Sequence, residues 1–211
     1  MLINAIDLKK LEQHFQREHD SRFGNGDETH TRSLVAQHEA GHAAIYALIG
    51  EFKNVCISKD KEGYWWGRTG DSSVTVEIDP SIEIILSDVL LFMSGYLAEK
   101  LCAKNYSESS SGVDKSYAKA RVAVIAKQLD FDQISLNEEL ENIVIALLKL
   151  HKASLLRLSK RLKEAKSLSE SATKHILGIE QKFDGYFGLG EYVLSKLNFK
   201  KIKKPFQEHS L

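Results

Sequence analysis

The sequence predicts a mainly α-helical protein with a small β-hairpin or sheet element. Three observations lead to this fold class. The chain of 211 residues contains only two prolines, the residue that most strongly interrupts helices. Apolar residues recur at helical spacing over long stretches, as at Leu140, Val144 and Leu147. Strand-like runs, in contrast, are confined to residues 54–68.

The N-terminal part is predicted to contain two helices followed by a hairpin. The first helix covers residues 3–17, and the second covers residues 34–49 and ends at Gly50. The N-cap of the second helix is one of three residues: Thr29, Thr31 or Ser33. Residues 54–58 and 63–68 then form the two strands of the hairpin.

A long helix and a second, shorter one are predicted next. Asp79 is the expected N-cap and Pro80 the first helical residue of a helix that continues to about Ala103. Residues 106–112 form a serine-rich loop. The helix after this loop has Asp114 in its first turn.

Beyond these elements, Ser135 and Glu138 fit a capping box. It would open one long helix whose apolar spacing continues through Leu162. A last short helix covers residues 169–177 and ends at Gly178.

Composition limits the classes of function. Lysine plus arginine and aspartate plus glutamate each number 29, so the formal net charge is zero and no global field favours nucleic acid. No apolar run approaches the ~20 residues of a membrane span. Cys56 and Cys102 lack a paired framework and are expected to be reduced thiols. The first ten residues do not resemble a signal peptide, so we expect a cytoplasmic protein.

A metal-binding motif lies in the second predicted helix: His38-Glu39-Ala40-Gly41-His42. Two histidines at i and i+4 lie on one helical face, where both imidazoles can reach one ion. Glu39 lies at the flank of that face, the position of a general base that contacts a water without binding the metal. The motif therefore predicts a catalytic metal site.

A catalytic zinc site needs a third protein ligand and an open position. Glu99 on the following long helix would give a thermolysin-like site. Asp114, at the start of a later helix, is the other candidate, although a carboxylate there also stabilises a helix N-terminus. The residue types alone leave both alternatives open.

Four segments carry a resemblance to one family. Residues 34–43, Leu-Val-Ala-Gln-His-Glu-Ala-Gly-His-Ala, are similar to the peptidase domain of FtsH-type ATP-dependent zinc metalloproteases. Three further segments resemble, in order, that family's substrate-side strand, its Gly-Arg-Ala-Ala-Glu stretch and the segment with its aspartate ligand. They are residues 63–65 (Gly-Tyr-Trp), 95–99 (Gly-Tyr-Leu-Ala-Glu) and 111–114 (Ser-Gly-Val-Asp).

The resemblance implies a zinc ion held by His38, His42 and Asp114, with Glu39 as the base. It implies a zinc peptidase-like domain over residues 31–180, preceded by a helical extension (1–30) and followed by a segment (181–211) rich in glycine and aromatic residues and ending in a basic cluster. Four residues are the expected substrate strand: Gly63, Tyr64, Trp65 and Trp66.

The expected activity is zinc-dependent hydrolysis of flexible or unfolded polypeptides. The chain has no Gly-x-x-x-x-Gly-Lys-Ser/Thr loop, so we expect it to act without its own ATPase. Its expected partner is the polypeptide substrate, while a homo-oligomer or an ATPase acting in trans stays open. The alternative is a catalytically silent, metal-stabilised interaction module, which would need no Glu39.

Overall fold

A computed structural model describes five stretches of the chain: residues 5–23, 31–61, 63–70, 80–103 and 111–203. Of residues 5–7 and 19–23 it describes the backbone only. Several predicted features lie outside the described residues: the caps at Thr29 and Asp79, most of the serine-rich loop, and the end of the basic cluster.

The described residues form nine helices and three strands. The helices are α1 (Ala5–Phe23), α2 (Arg32–Leu48), α3 (Ile82–Cys102), α4 (Gly112–Leu129), α5 (Gln133–Leu150), α6 (Lys152–Ala165), α7 (Glu170–Leu177), α8 (Gly185–Lys196) and α9 (Phe199–Ile202). The strands are β1 (Val55–Lys59), β2 (Trp65–Thr69) and β3 (Ser167–Leu168). The prediction of a mainly helical protein with a small sheet is confirmed.

The helix that carries the metal motif, α2, begins as one of the predicted alternatives requires. Thr31 is its N-cap, and the Thr31 Oγ1 accepts a hydrogen bond of 3.2 Å from the Leu34 N–H. The helix ends at Leu48, and Gly50 follows with φ of 81°, a value that favours glycine. Eleven of its seventeen residues are buried, so the two motif histidines lie close to the core.

The predicted hairpin is present, and a third strand extends it. In the antiparallel pair of β1 and β2, Val55 lies opposite Thr69 and Lys59 lies opposite Trp65. The short β3 pairs with the other side of β1, so the strand order is β2-β1-β3. Among the described strands β2 is therefore an edge, and it lies against α2.

The central helix of the fold is α3, which packs against α2, α4, α5 and α8. Its N-cap is Ser81, whose Oγ accepts from the Ile84 N–H at 3.5 Å, so the predicted start at Asp79 and Pro80 was two residues too early. At the α2–α3 crossing, a Cβ on Gly41 would overlap the Ser94 carbonyl. Glycine there lets the two helix backbones come into direct contact.

Two predictions about the next helices were wrong. The cap of α5 is Asp132, which accepts from the Ser135 N–H at 2.8 Å, and not the capping box of Ser135 and Glu138. The predicted single long helix is divided at His151 into α5 and α6. Apolar spacing could not reveal this break, because the apolar residues before and after His151 keep the same helical spacing and pack in the same core.

No helix was predicted in the segment after residue 181, yet α8 and α9 form there and contribute to the core. Leu189 and Val193 of α8 are fully buried. Gly190 makes this packing possible, since a Cβ on it would overlap the Glu83 backbone of α3. The Ser87 hydroxyl also donates to the Tyr186 carbonyl, which joins α3 to the first turn of α8.

In the part of the chain that the structure describes, no helix has both the length and the apolar character needed to cross a membrane.

The docking of α8 can be tested with two glycines of the same helix. Gly190→Ala should destabilise the protein by about 1–3 kcal/mol, because its new methyl group meets backbone that cannot rotate away. Gly188→Ala meets only ordinary contacts, the nearest at 3.4 Å, and should stabilise α8 by about 0.5–1 kcal/mol. Urea unfolding measures both changes. Equal effects of the two substitutions would contradict the packing of α8 on α3.

Candidate metal centre

Three side chains from two helices converge on one point. The Nε2 atoms of His38 and His42 are 2.9 Å apart. The Oδ2 of Asp114 is 2.7 Å from the first and 3.1 Å from the second. Together the three residues form a cluster that could hold a metal ion.

The sequence produces this convergence in two steps. One turn of α2 separates His38 from His42, so their rings lie on one face with centroids 4.6 Å apart. Asp114 reaches them from the first turn of α4, whose start is fixed by Ser111. Ser111 is buried and has a left-handed backbone with φ of 63°, uncommon for a residue other than glycine and typical of constrained sites.

Glu99 does not join the cluster but supports it. Its Oε1 accepts a hydrogen bond of 2.6 Å from His38 Nδ1 and another of 2.9 Å from the Ser111 hydroxyl. A carboxylate bound to the second ring nitrogen fixes the tautomer and orientation of a metal-binding histidine. The geometry therefore gives Glu99 and Asp114 different roles, which their residue types alone could not distinguish.

The second histidine is oriented by backbone. His42 Nδ1 donates to the Leu91 carbonyl at 2.8 Å, and the Ser94 hydroxyl lies 3.2 Å from the same nitrogen. A carbonyl can only accept, so the proton of a neutral His42 is on Nδ1 and the Nε2 lone pair faces Asp114. Each histidine thus directs Nε2 toward the cluster.

Gly95 leaves the space in which the rings lie. A Cβ at this position would overlap the Nε2 atoms of both imidazoles. The α3 backbone therefore forms the floor of the cluster. Any larger residue at 95 would displace the ring nitrogens.

Glu39 lies beside the cluster and has its own support. The Thr69 hydroxyl donates to Glu39 Oε2 at 2.7 Å, which connects the carboxylate to strand β2. Gly67 of β2 leaves room for it, since a Cβ there would lie 2.5 Å from Glu39 Oε1. Glu39 contributes to the lining of both cavities that reach the cluster.

Burial and charge perturb the titration of three groups. Burial raises the pKa of Glu39, and the positive charges of His38 and His42 only partly oppose it. Burial opposes protonation of His38, but hydrogen bonds to Asp114 and Glu99 outweigh it and raise its pKa well above the usual value. Burial would also raise the pKa of Asp114, yet the charge of His42 and the hydrogen bonds from both histidines, in the protonated form of the rings, lower it well below its usual range.

The donor set fits a first-row divalent metal. Two imidazole nitrogens and one carboxylate oxygen are ligands that zinc accepts. Ligands at ~2.0–2.1 Å in a tetrahedral arrangement are about 3.3 Å apart, close to the observed separations of 2.7 to 3.1 Å. Three protein donors also leave a fourth position for a substrate or a water.

The predicted substrate strand lies at a second cavity near the cluster. Tyr64 and Trp66 are exposed, at 42% and 46% of their surface. Trp65 is half-buried between two cations, with Arg32 and Lys59 at 5.0 and 5.5 Å from its ring. All three aromatic residues line a cavity of about 400 Å³ that also contains His38 and Asp114.

Sequence reasoning missed several supporting residues: Thr69, Ser94, Gly95 as the floor of the cluster, and the hydroxyl of Ser111. These residues form no regular spacing with the histidine motif, so no sequence signal identified their roles. Gly63, named with the substrate strand, precedes β2 and lies in the hairpin turn with φ of 92°.

Comparison with known proteins adds no family: no family model matches the chain, and a search of curated proteins finds no similar sequence. The FtsH-type assignment therefore stays a prediction that rests on the four matching segments.

Metal retention distinguishes the roles of Asp114 and Glu99. His38→Ala, His42→Ala and Asp114→Ala should each lose a bound divalent metal, because each removes one of three donors. Glu99→Gln should retain the metal with an affinity about 10- to 100-fold lower, the usual effect of removing the carboxylate behind a ligating histidine. Elemental analysis and competition with a chromogenic chelator measure both. Full metal in Asp114→Ala, with loss in Glu99→Gln, would reverse the two roles.

Proposed function

We propose that this protein is a zinc-dependent endopeptidase of the FtsH type that hydrolyses flexible or unfolded polypeptides. One observation carries the proposal. Three donors, His38, His42 and Asp114, converge, while a separate buried carboxylate, Glu39, lies beside them and is held by Thr69. A structural zinc site usually has four protein ligands and needs no neighbouring base.

His38, His42 and Asp114 would hold the ion. Bound zinc acidifies a water and polarises a carbonyl oxygen, the two effects that amide hydrolysis requires. The carboxylate of Glu99 and the carbonyl of Leu91 keep the two imidazoles in the neutral tautomer whose Nε2 lone pair can bind a metal. In the proposed mechanism, Glu99 and Leu91 therefore orient the two histidine ligands.

Glu39 is the proposed general base. It accepts a proton from the attacking water and delivers it to the nitrogen of the leaving amine. Burial raises its pKa from the ordinary glutamate value, which brings it nearer to the range in which a carboxylate can both take and give a proton. The hydrogen bond from Thr69 holds Oε2, so the other oxygen is the one available for transfer.

The substrate is proposed to bind along strand β2. It is an edge among the described strands, and an extended polypeptide can pair with such an edge through main-chain hydrogen bonds. The cavity of about 400 Å³ runs between β2 and the start of α4, next to the cluster. An extended segment paired with β2 would lie along this cavity, which favours flexible or unfolded substrates.

A metal-stabilised interaction module is the second candidate. Its support is the exposed apolar rim of the same cavity, formed by Tyr64, Trp66 and Val113, the last with 53% of its surface exposed. Such a rim would bind a partner peptide with or without turnover. The role of Glu39 separates the two candidates.

Glu39→Gln tests the proposed chemistry. Glutamine keeps the length of the side chain and an oxygen for Thr69, so metal content and thermal stability should stay near those of the unaltered protein. Cleavage of a denatured, fluorescently labelled protein should fall about 10²- to 10⁴-fold, because the proton acceptor is lost.

Glu164→Gln is the matched control, since that glutamate is exposed on α6 and should leave cleavage unchanged. Equal zinc binding without cleavage by either the unaltered protein or Glu39→Gln would favour the interaction module. Loss of metal in Glu39→Gln would instead make Glu39 a ligand.

Nucleotide dependence provides an independent test. The chain has no phosphate-binding loop, so cleavage of a short flexible peptide should be the same with and without ATP and magnesium. Compact folded proteins should be cleaved poorly under either condition. A several-fold stimulation of the purified chain by ATP would contradict this proposal.

A further inference from the structure

The larger cavity at the metal cluster is lined in part by an arginine, Arg121, that the proposed chemistry does not use. This cavity, of about 770 Å³, is lined by His42, Glu39 and Asp114 at the cluster. Its lining also includes Arg121 of α4 and Leu8 of α1. A positively charged side chain thus shares a cavity with the proposed reaction site.

Arg121 is a buried cation with two carboxylate partners. Its side chain is only 4% exposed. Nη1 donates to Glu12 of α1 at 2.5 Å, and Nε donates to Asp88 of α3 at 3.4 Å. The guanidinium lies 4.6 Å from the ring of Phe92, which fixes its plane. A guanidinium held in this way is suited to binding a planar carboxylate.

The distance between Arg121 and the cluster matches the length of two or three residues of an extended peptide. Arg121 follows Asp114 by seven residues in α4, so both lie on one face and about 10.5 Å apart along the axis. An extended peptide spans about 3.3–3.6 Å per residue. A carboxylate about two or three residues from a bond at the cluster would therefore reach Arg121.

Helix α1 supplies Glu12 and packs mainly on α4. Between residues 8 and 18 of α1, Leu8 is the one buried apolar side chain, whereas the side chain of Glu12 keeps 16% of its surface exposed. Because Glu12 keeps contact with solvent, a change of its rotamer can take the carboxylate away from Arg121 while α1 stays in place.

We propose that Arg121 binds a carboxylate of the polypeptide substrate, and that Glu12 occupies this position when no substrate is bound. The carboxylate is either the C-terminus of the substrate or an acidic side chain. In both cases it replaces Glu12, while Asp88 remains beside the guanidinium. The inference rests on the proposed peptidase function, because it assigns the larger cavity to the residues on one side of the cleaved bond.

Binding of peptides tests the inference without turnover. The zinc-loaded Glu39→Gln protein is titrated with three versions of one short flexible peptide: a C-terminal free acid, its amide, and the amide with glutamate as its last residue. The free acid should bind about tenfold or more tightly than the plain amide, as expected for a hydrogen-bonded charge pair. Tight binding of the glutamate-containing amide would identify a side chain as sufficient.

Substitutions then locate the effect. Arg121→Lys should lower the preference for the free acid, since lysine cannot form the paired contact of a guanidinium. Glu12→Gln should tighten binding of the free acid several-fold by removing the internal competitor. Glu164→Gln, at an exposed glutamate of α6, is the control of the same chemistry and should change neither. Circular dichroism and metal content confirm that each variant is folded.

Turnover separates this inference from the proposed function. With the unaltered protein, the preference for a free acid should be greatest when the carboxylate lies about two or three residues beyond the cleaved bond. Absence of cleavage, together with an Arg121-dependent preference in binding, would overturn the peptidase and retain the carboxylate site. Equal binding of acid and amide, or no binding of any peptide, would overturn the inference. So would a preference that Arg121→Lys leaves intact, which would make the ion pair a structural clamp only.

Discussion

The direct contact between the backbones of α2 and α3 is the constraint on which the rest of the structure depends. Gly41 allows it on one helix and Gly95 on the other, and a Cβ at either position would overlap the facing helix. The contact brings the imidazoles of His38 and His42 against the α3 backbone. It also brings the Leu91 carbonyl and the Glu99 carboxylate within hydrogen-bond distance of the two Nδ1 atoms.

Burial makes each of these polar contacts obligatory. An unpaired ionisable group in such a site would cost several kcal/mol, and the ionisable side chains of the site, His38, His42, Glu39, Glu99 and Asp114, each have a specific partner. Ser111 is the clearest case, because its left-handed backbone allows its hydroxyl to bond Glu99 while α4 begins one residue later. The position of Asp114 therefore depends on a contact to α3 as well as on its own helix.

The sequence allowed prediction of those features that depend on local pattern. The His38–His42 pair, a cap among Thr29, Thr31 and Ser33, the hairpin, and a helix beginning just before Asp114 all follow from residue types within a few positions of one another. Features that depend on distant partners were missed. The break at His151 leaves the apolar pattern unchanged, and α8 contains four glycine or aromatic residues in its first turn, a composition that local propensity does not assign to a helix. Only docking on α3 makes that helix stable.

Electrostatics explain why the cluster suits a cation. Three carboxyl groups, those of Glu39, Glu99 and Asp114, surround two imidazoles in a buried site. Asp114 and Glu99 raise the pKa of His38, so their negative charges favour a positive charge at this point. A proton on His38 supplies part of that positive charge, and a divalent ion held by both Nε2 atoms and Asp114 would supply more. Because a metal binds the neutral imidazole, the ion and the proton exclude each other at His38. The carboxylate of Glu99 helps either state. Glu39, held by Thr69 of β2, lies outside the three-donor cluster, which is where the proposed chemistry would need a group that moves a proton.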